Sequence, residues 1–455
     1  MFKNPLMVSA IIILLSACDR NNNPSDPDKK IIDKPPISAE YDPPNWQPNA
    51  GSATAEFNPD FPFLQFIPNL DLAELTSASQ GRELFIAEWT PAPGIRPLLD
   101  GLGPLTITSS CAHCHLASGR APSLIENGDV GVGLLFRLRN PLGQADPYYG
   151  GQLQTAATSG SSEGHVSWQL DDNQRPLFTL TTNQFPLTEG INLGPRLSPQ
   201  LVGIGLLDLV PSIEILSRED KNDIDADGIS GRAHWRLIDG QLELGRFGWK
   251  AMQPSLKHQS AGAMQQDMGL TTSLNPTEPC TALQNICDEQ NNGGSPEVSD
   301  NSLTAINDFL TLLAVPQRRI SDQADFDRGA LLFTSVGCAD CHQPTLTTGS
   351  SEKYPLLSNQ LIYPYTDLLL HDLGEDLNDK VKEGNAQPNE WRTPPLWSLG
   401  LIEAVPGSRF LHDGRAETIE QAISWHGGEA LRSRQKFDAL ALSKKQSMLE
   451  FLRSI

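Results

Sequence analysis

Cys111-Ala112-His113-Cys114-His115 and Cys338-Ala339-Asp340-Cys341-His342 are the two stretches on which the reading of this chain turns. Each is a Cys-x-x-Cys-His string. In that pattern two cysteines, three residues apart, can add across the two vinyl groups of a haem, and the next residue is the histidine that meets the iron. The competing use of paired Cys-x-x-Cys is a four-cysteine zinc ribbon, whose pairs lie about 15–20 residues apart. Here more than two hundred residues separate the pairs, and each pair carries its own histidine. The spacing predicts two covalently bound c-type haems, held by Cys111, Cys114 and His115 and by Cys338, Cys341 and His342.

The remaining cysteines point to an exported protein. Lys3 gives a short positive start, and Leu6 to Leu15 is an apolar run too short to span a bilayer. Leu15-Ser16-Ala17-Cys18 resembles the bacterial lipobox, so residues 1–18 read as a lipoprotein signal with Cys18 as the lipidated residue. The expected location is the bacterial cell envelope, lipid-anchored and facing the periplasm, with the membrane met through the anchor alone. In an oxidising compartment Cys280 and Cys287 read as a local disulfide; a redox-active thiol pair is the alternative.

Formal charge is −21, from 55 acidic and 34 basic residues, which argues against nucleic acid as a partner. It suits the docking of a basic electron-donor protein, a small cytochrome or copper protein; a quinol-linked donor is the other option. Residues 19–72 are rich in Pro, Asp and Asn and read as a flexible tether. Asp223, Asp225 and Asp227 stand at alternate positions before Gly228, like the start of an EF-hand loop, with His234 where the full loop has a bidentate Glu. They are candidate Ca2+ ligands, to be completed from elsewhere, Asp220 included; the alternative is a solvated acidic turn.

The chain also repeats itself. Ser198-Pro-Gln-Leu-Val-Gly-Ile-Gly-Leu-Leu-Asp-Leu-Val-Pro211 matches Thr393-Pro-Pro-Leu-Trp-Ser-Leu-Gly-Leu-Ile-Glu-Ala-Val-Pro406 at Pro199/Pro394, Leu201/Leu396, Gly205/Gly400, Leu206/Leu401, Val210/Val405 and Pro211/Pro406. A Gly-x-x-x-Phe precedes each haem motif, at Gly81/Phe85 and Gly329/Phe333. Apolar stripes close each half, through Leu303, Ile306, Phe309, Leu310 and Leu313, and through Met448, Leu449, Phe451, Leu452 and Ile455. The expected fold is mainly α: two cytochrome c-like haem lobes at 73–316 and 317–455, the first with β-containing insertions. Tyr148–Gly151, His165–Leu170 and Leu177–Thr181 read as short strands.

Five segments carry a family resemblance: Gly245-Arg-Phe-Gly-Trp-Lys-Ala251, Gln265-Gln-Asp-Met-Gly269, Pro364-Tyr-Thr-Asp-Leu-Leu-Leu-His-Asp372, Trp391-Arg-Thr-Pro-Pro-Leu-Trp397 and Phe410-Leu-His-Asp-Gly-Arg-Ala416. From about residue 75 onward the chain resembles the bacterial "di-haem oxidoreductase, putative peroxidase" family, also labelled predicted thiol oxidoreductase. More distantly it is similar to di-haem cytochrome c peroxidases and MauG-like proteins. The resemblance implies a peroxidase-type enzyme in which Asp267 is the distal acid/base, Gln259 orients peroxide, and Trp249 lies between the haems. The acid is Asp where the relatives have Glu, and it comes about two residues early. His426 stands where the relatives place a Met or Tyr haem ligand, which implies a bis-histidine second haem with His342. His371 and His412 fall in the same motifs and could contact propionates or be structural. Two alternatives remain: an electron-transfer cytochrome without enzymatic activity, and MauG-like oxidation of a protein substrate.

Overall fold

The computed structural model describes residues 49–125, 128–286 and 291–455. Two helix pairs, built to one plan, organise it. In the first half Leu72–Ile86 packs on Asp300–Thr311. The first of these helices opens with a reciprocal cap: Asp71 accepts from the Glu74 amide and Glu74 accepts from the Asp71 amide. Gly81 stands at the crossing, where a Cβ would collide with the Ala305 carbonyl. In the second half Gln323–Ser335 packs on Leu442–Ser454, and a Cβ on Gly329 would collide with the Ser447 carbonyl. The phenylalanine four residues on meets the partner helix in both: Phe85 and Phe309 have ring centroids 5.2 Å apart, Phe333 and Phe451 5.4 Å.

The repeated fourteen-residue segments take matching places. Gly205, on the short helix Ile204–Asp208, packs against the backbone of Thr311; Gly400, on Leu399–Glu403, packs against the backbone of Arg453. One apolar core runs through both halves and includes Leu206, Phe309, Trp397 and Phe451.

Among the described residues helix accounts for only 29% and strand for 18%, so the architecture there is mixed rather than mainly α. The physical reason is in the insertions, where apolar residues alternate instead of recurring every three or four. Gly164–Leu170 pairs antiparallel with Pro176–Thr182, covering two of the expected strands. Leu134–Arg139 pairs with Asn192–Leu197. His234–Ile238 pairs with Gln241–Gly245 across Asp239-Gly240, whose φ values of 49° and 79° suit a tight two-residue hairpin turn. The first two pairs enclose a second, smaller core around Phe136, Leu138 and Leu153. Tyr148–Gly151 is a turn, not a strand, because Asp146 Oδ1 accepts from the amides of Tyr148 and Tyr149 and curls the backbone.

The tether expected over 19–72 is part of the folded body from residue 49 on. Thr54–Ala55 pairs in parallel with Val315–Pro316, and Phe63 and Ile67 are buried. A few well-placed apolar residues outweigh the polar composition there. The signal, Cys18 and the rest of the tether lie outside the described residues. Cys280 is in a disulfide, while Cys287 lies outside the described residues. Among the described residues no helix is long and apolar enough to cross a membrane.

Candidate haem-centred redox site

The first motif forms one short helical turn, Cys111–Cys114, with His115 at its end. His115 Nδ1 donates to the Pro199 carbonyl at 2.8 Å. That bond fixes the tautomer and leaves Nε2 as the basic nitrogen, with no hydrogen-bond partner among the described residues. Burial pushes the ring down to about pKa 4, so it is neutral and able to ligate. The second motif repeats the arrangement. His342 Nδ1 donates to the Tyr365 carbonyl at 2.9 Å, and burial takes this ring to about 4 as well. None of the four motif cysteines is in a disulfide, and burial raises the thiol pKa of each, Cys111 and Cys338 to about 12. Two separated thiol pairs, each with an adjacent neutral imidazole, fit a haem at each motif. They do not fit one four-cysteine zinc centre: among the described residues the only cluster of three or more ligand-type side chains is Asp220, Asp223 and Asp225.

Asp267 is brought to the first motif. It ends the helix Leu256–Met268, and its carbonyl accepts from the amides of Ile107 and Thr108, just ahead of Cys111. Its charge acts on both Cys111 and Cys114. Desolvation raises the Asp267 pKa, with the Gln152 amide and Arg137 opposing. The amide beside the acid is therefore Gln152, whose Nε2 donates to Asp267 Oδ1 at 2.7 Å. Gln259 sits two turns away on the same helix, about 12 Å along the axis, with its Oε1 beside Gly248. Asp267 thus lies beside the first motif, and the side-chain amide that reaches it is that of Gln152.

His426 is brought to the second motif. Its Nδ1 donates to the Ala422 carbonyl at 2.8 Å, and it lies close enough to help lower the His342 pKa. Both histidines therefore have Nδ1 occupied and Nε2 uncommitted among the described residues. Beside them His371 is clamped: Nε2 lies 2.8 Å from Asp367 and Nδ1 2.7 Å from Glu429. Burial disfavours its charged form, yet Cys341 and Asp367 hold its pKa well above the usual value. Glu429 also accepts from the Ser230 hydroxyl and amide, tying this histidine to the loop after the acidic cluster.

Trp249 occupies the seam between the halves. Its Nε1 donates to the Leu197 carbonyl at 2.7 Å, and its ring lies 6.4 Å from both Trp391 and His412. Trp391 and His412 stack at 3.8 Å with 16° between planes. Lys250 Nζ sits 3.7 Å over Trp391 and donates to the carbonyls of Gln387, Pro388 and Glu390. Burial lowers it to about pKa 8. Lys250 thus fastens the seam. His412 is buried, and its pKa is lowered well below the usual value by desolvation and by Arg415, Arg196 and Lys250.

Of the candidate calcium residues, Asp223 and Asp225 converge with Asp220, their ligand atoms within 4.8 Å of one another. Asp227 does not join them; it accepts from the Ile229 amide at 2.8 Å. Gln152 escaped the sequence reading, and Trp391 entered it only within a family-like segment, without its stacking on His412. The one available signal for Gln152 was the alternation Gln152-Leu-Gln154, which puts two amides on one face of an extended segment.

The family profile described as "Di-haem oxidoreductase, putative peroxidase" matches residues 179–455. A solved structure of hydrazine synthase from Kuenenia stuttgartiensis is similar at 12% identity and a TM-score of 0.37, over 100% of each chain. No curated protein sequence matches. The matched segment holds Trp249, Asp267, the second Cys-x-x-Cys-His and His426, and on that match the chain belongs to the di-haem oxidoreductase family.

Proposed function

We propose that this protein is an exported c-type cytochrome enzyme that reduces hydrogen peroxide with electrons relayed between two haems. Cys111 and Cys114, and Cys338 and Cys341, would hold the haems by thioether bonds, with His115 and His342 as iron ligands. When bound, the haems supply one-electron chemistry and a metal at which peroxide is split. The observation that carries the reading is the difference between the two motifs. The first has a desolvated carboxylic acid, Asp267, held by an amide; the second has a second neutral imidazole, His426, oriented like His342.

The reaction, H2O2 + 2 H+ + 2 e− → 2 H2O, needs a group that moves protons at the peroxide oxygens. Asp267 fills that role, its carboxyl kept protonatable by burial and aimed by Gln152. His342 and His426 would both be available to ligate the second haem, and a bis-histidine haem would be low in potential and suited to relay rather than to peroxide binding. The Trp249, Trp391 and His412 rings span the seam that an electron must cross. The electron donor is a small cytochrome or copper protein, and Cys18 anchors the body to the envelope membrane. Asp220, Asp223 and Asp225 would take Ca2+.

Turnover of hydrogen peroxide with a reduced small cytochrome tests the reading. Asp267→Asn should lower kcat by about 10²–10⁴-fold with haem content unchanged. Electron paramagnetic resonance of the oxidised and half-reduced protein should show one high-spin iron in at least one of these states. Two low-spin irons in both states, with no turnover, would sink the proposal and leave an electron-transfer cytochrome.

A further inference from the structure

Behind Asp267, on the side of the insertion, lies a small polar pocket lined by Gln152, Gln154, Glu163, Gln266, Tyr149 and Gln284. It has room for about one water molecule. All of these but Tyr149 are joined into one network. Gln152 Nε2 donates to Asp267 Oδ1 and to the Gln266 carbonyl, at 2.7 and 2.8 Å. Gln154 Nε2 donates to the same carbonyl at 2.8 Å, and its backbone amide donates to Glu163 Oε2 at 2.6 Å. Gln284 Nε2 donates to Glu163 Oε1 at 2.5 Å. Both glutamine orientations follow from their acceptors: a flipped amide would set oxygen against oxygen.

Two features of this network carry a cost in folding free energy. The Oε1 atoms of Gln152 and Gln154 are buried with no hydrogen-bond partner among the described residues. A buried amide oxygen without a donor costs about 1–3 kcal/mol, and an ordered water in such a pocket supplies the donor. Glu163 is a carboxyl with 4% exposure whose side-chain hydrogen bonds, from the Gln154 backbone amide and the Gln284 side chain, are to neutral groups. Desolvation raises its pKa to about 7, the Gln154 and Gln284 contacts oppose, and Asp146 is the charged group that adds to the rise. At Asp267 the opposing charge is Arg137.

We infer that Glu163 is a proton-relay residue, exchanging protons with Asp267 through water held by the Gln152 and Gln154 amide oxygens. The inference rests on the role proposed for Asp267. The transfer balances: the Glu163 carboxylic acid gives its proton to the pocket water, which passes one to the Asp267 carboxylate. Glu163 becomes the carboxylate and is reprotonated from solvent past Pro279 and Gln284, both partly exposed. Each peroxide reduced consumes two such protons. Glu163 acts through Asp267 and touches no reactant. The relay is full below about pH 7 and empties as pH rises above it.

The experiment has two readouts. Infrared difference spectra of the holo-protein across pH should show one carboxylic C=O band titrating near pH 7, lost in Glu163→Gln. A second band, lost in Asp267→Asn, should protonate at least about tenfold more slowly after a pH jump in Glu163→Gln and in Gln154→Leu. Peroxide turnover should fall at least about tenfold in Glu163→Gln, without its alkaline limb near pH 7 and with unchanged peroxide KM and haem spectrum. No band titrating between about pH 6 and 8 in the unsubstituted protein, or equal protonation rates for Asp267, overturns the relay. A protein that relays protons but turns over no peroxide overturns the peroxidase reading instead.

Discussion

Glu383 shows how much of this molecule depends on single buried charges. It accepts from Arg196 Nε and Nη2, at 3.0 and 2.5 Å, and Arg196 also reaches Asp379 at 2.6 Å. Burial alone would raise its pKa, but Arg196, Arg137 and Lys250 hold it down at about 2. A lowered carboxylate pKa contributes stability above the unfolded value, near 4.5, and loses it as pH falls toward 2. Removing one member of a buried pair strands the other, at about 3–5 kcal/mol. Glu383→Gln should therefore lower urea stability by that order at neutral pH and flatten its decline between about pH 4.5 and 2. An unchanged acid limb would mean that this pair carries none of it. The residue scale is also where the sequence misled most. Gln259 follows Trp249 at a suggestive distance, yet only folding shows that the amide reaching Asp267 comes from the insertion.

Among the elements, the two helix crossings carry the most testable geometry. Gly81 and Gly329 let two helices approach to backbone contact, and any side chain there meets a carbonyl that belongs to a rigid helix. Gly329→Leu should cost more than the 1–3 kcal/mol of ordinary overpacking. It should show as a lower Tm and poor haem incorporation. Leu331→Ala on the same helix, at a residue 58% exposed, should stay within about 0.5 kcal/mol. Equal losses at the two positions would remove the close approach as the cause. The Gly-x-x-x-Phe repeats and the 3.6-residue apolar stripes were legible as local patterns, whereas their packing against one another came only from the fold. The strand content was legible only in part. Alternation marked 164–182, but Tyr148–Gly151 has the composition of a strand and the capping chemistry of a turn.

For the whole molecule the seam is decisive. Trp249, Lys250 and Arg196 come from the first half; Trp391, His412, Asp379 and Glu383 come from the second. Trp391→Leu should slow electron equilibration between the haems by at least about tenfold in stopped-flow reduction, with both haem spectra retained. An unaltered rate would take the electron path elsewhere. The net charge of −21 acts at this scale too. Association with a basic donor cytochrome should slow as ionic strength rises from about 0.01 to 0.15 M, as Debye screening sets in within about 8 Å. A salt-independent rate would point to a neutral or quinol-linked donor.

The two Cys-x-x-Cys-His motifs, the duplication and the glycines of the two helix crossings stand in short segments of the chain. A Cys-x-x-Cys-His places three reacting atoms within one turn of backbone, and no distant residue is needed to recognise it. Pairings across long separations were not readable: Gln152 with Asp267, His371 with Glu429, Trp391 with His412. Each depends on which surfaces the loops bring together, and that follows from packing the insertion and the two halves into one core rather than from any local period.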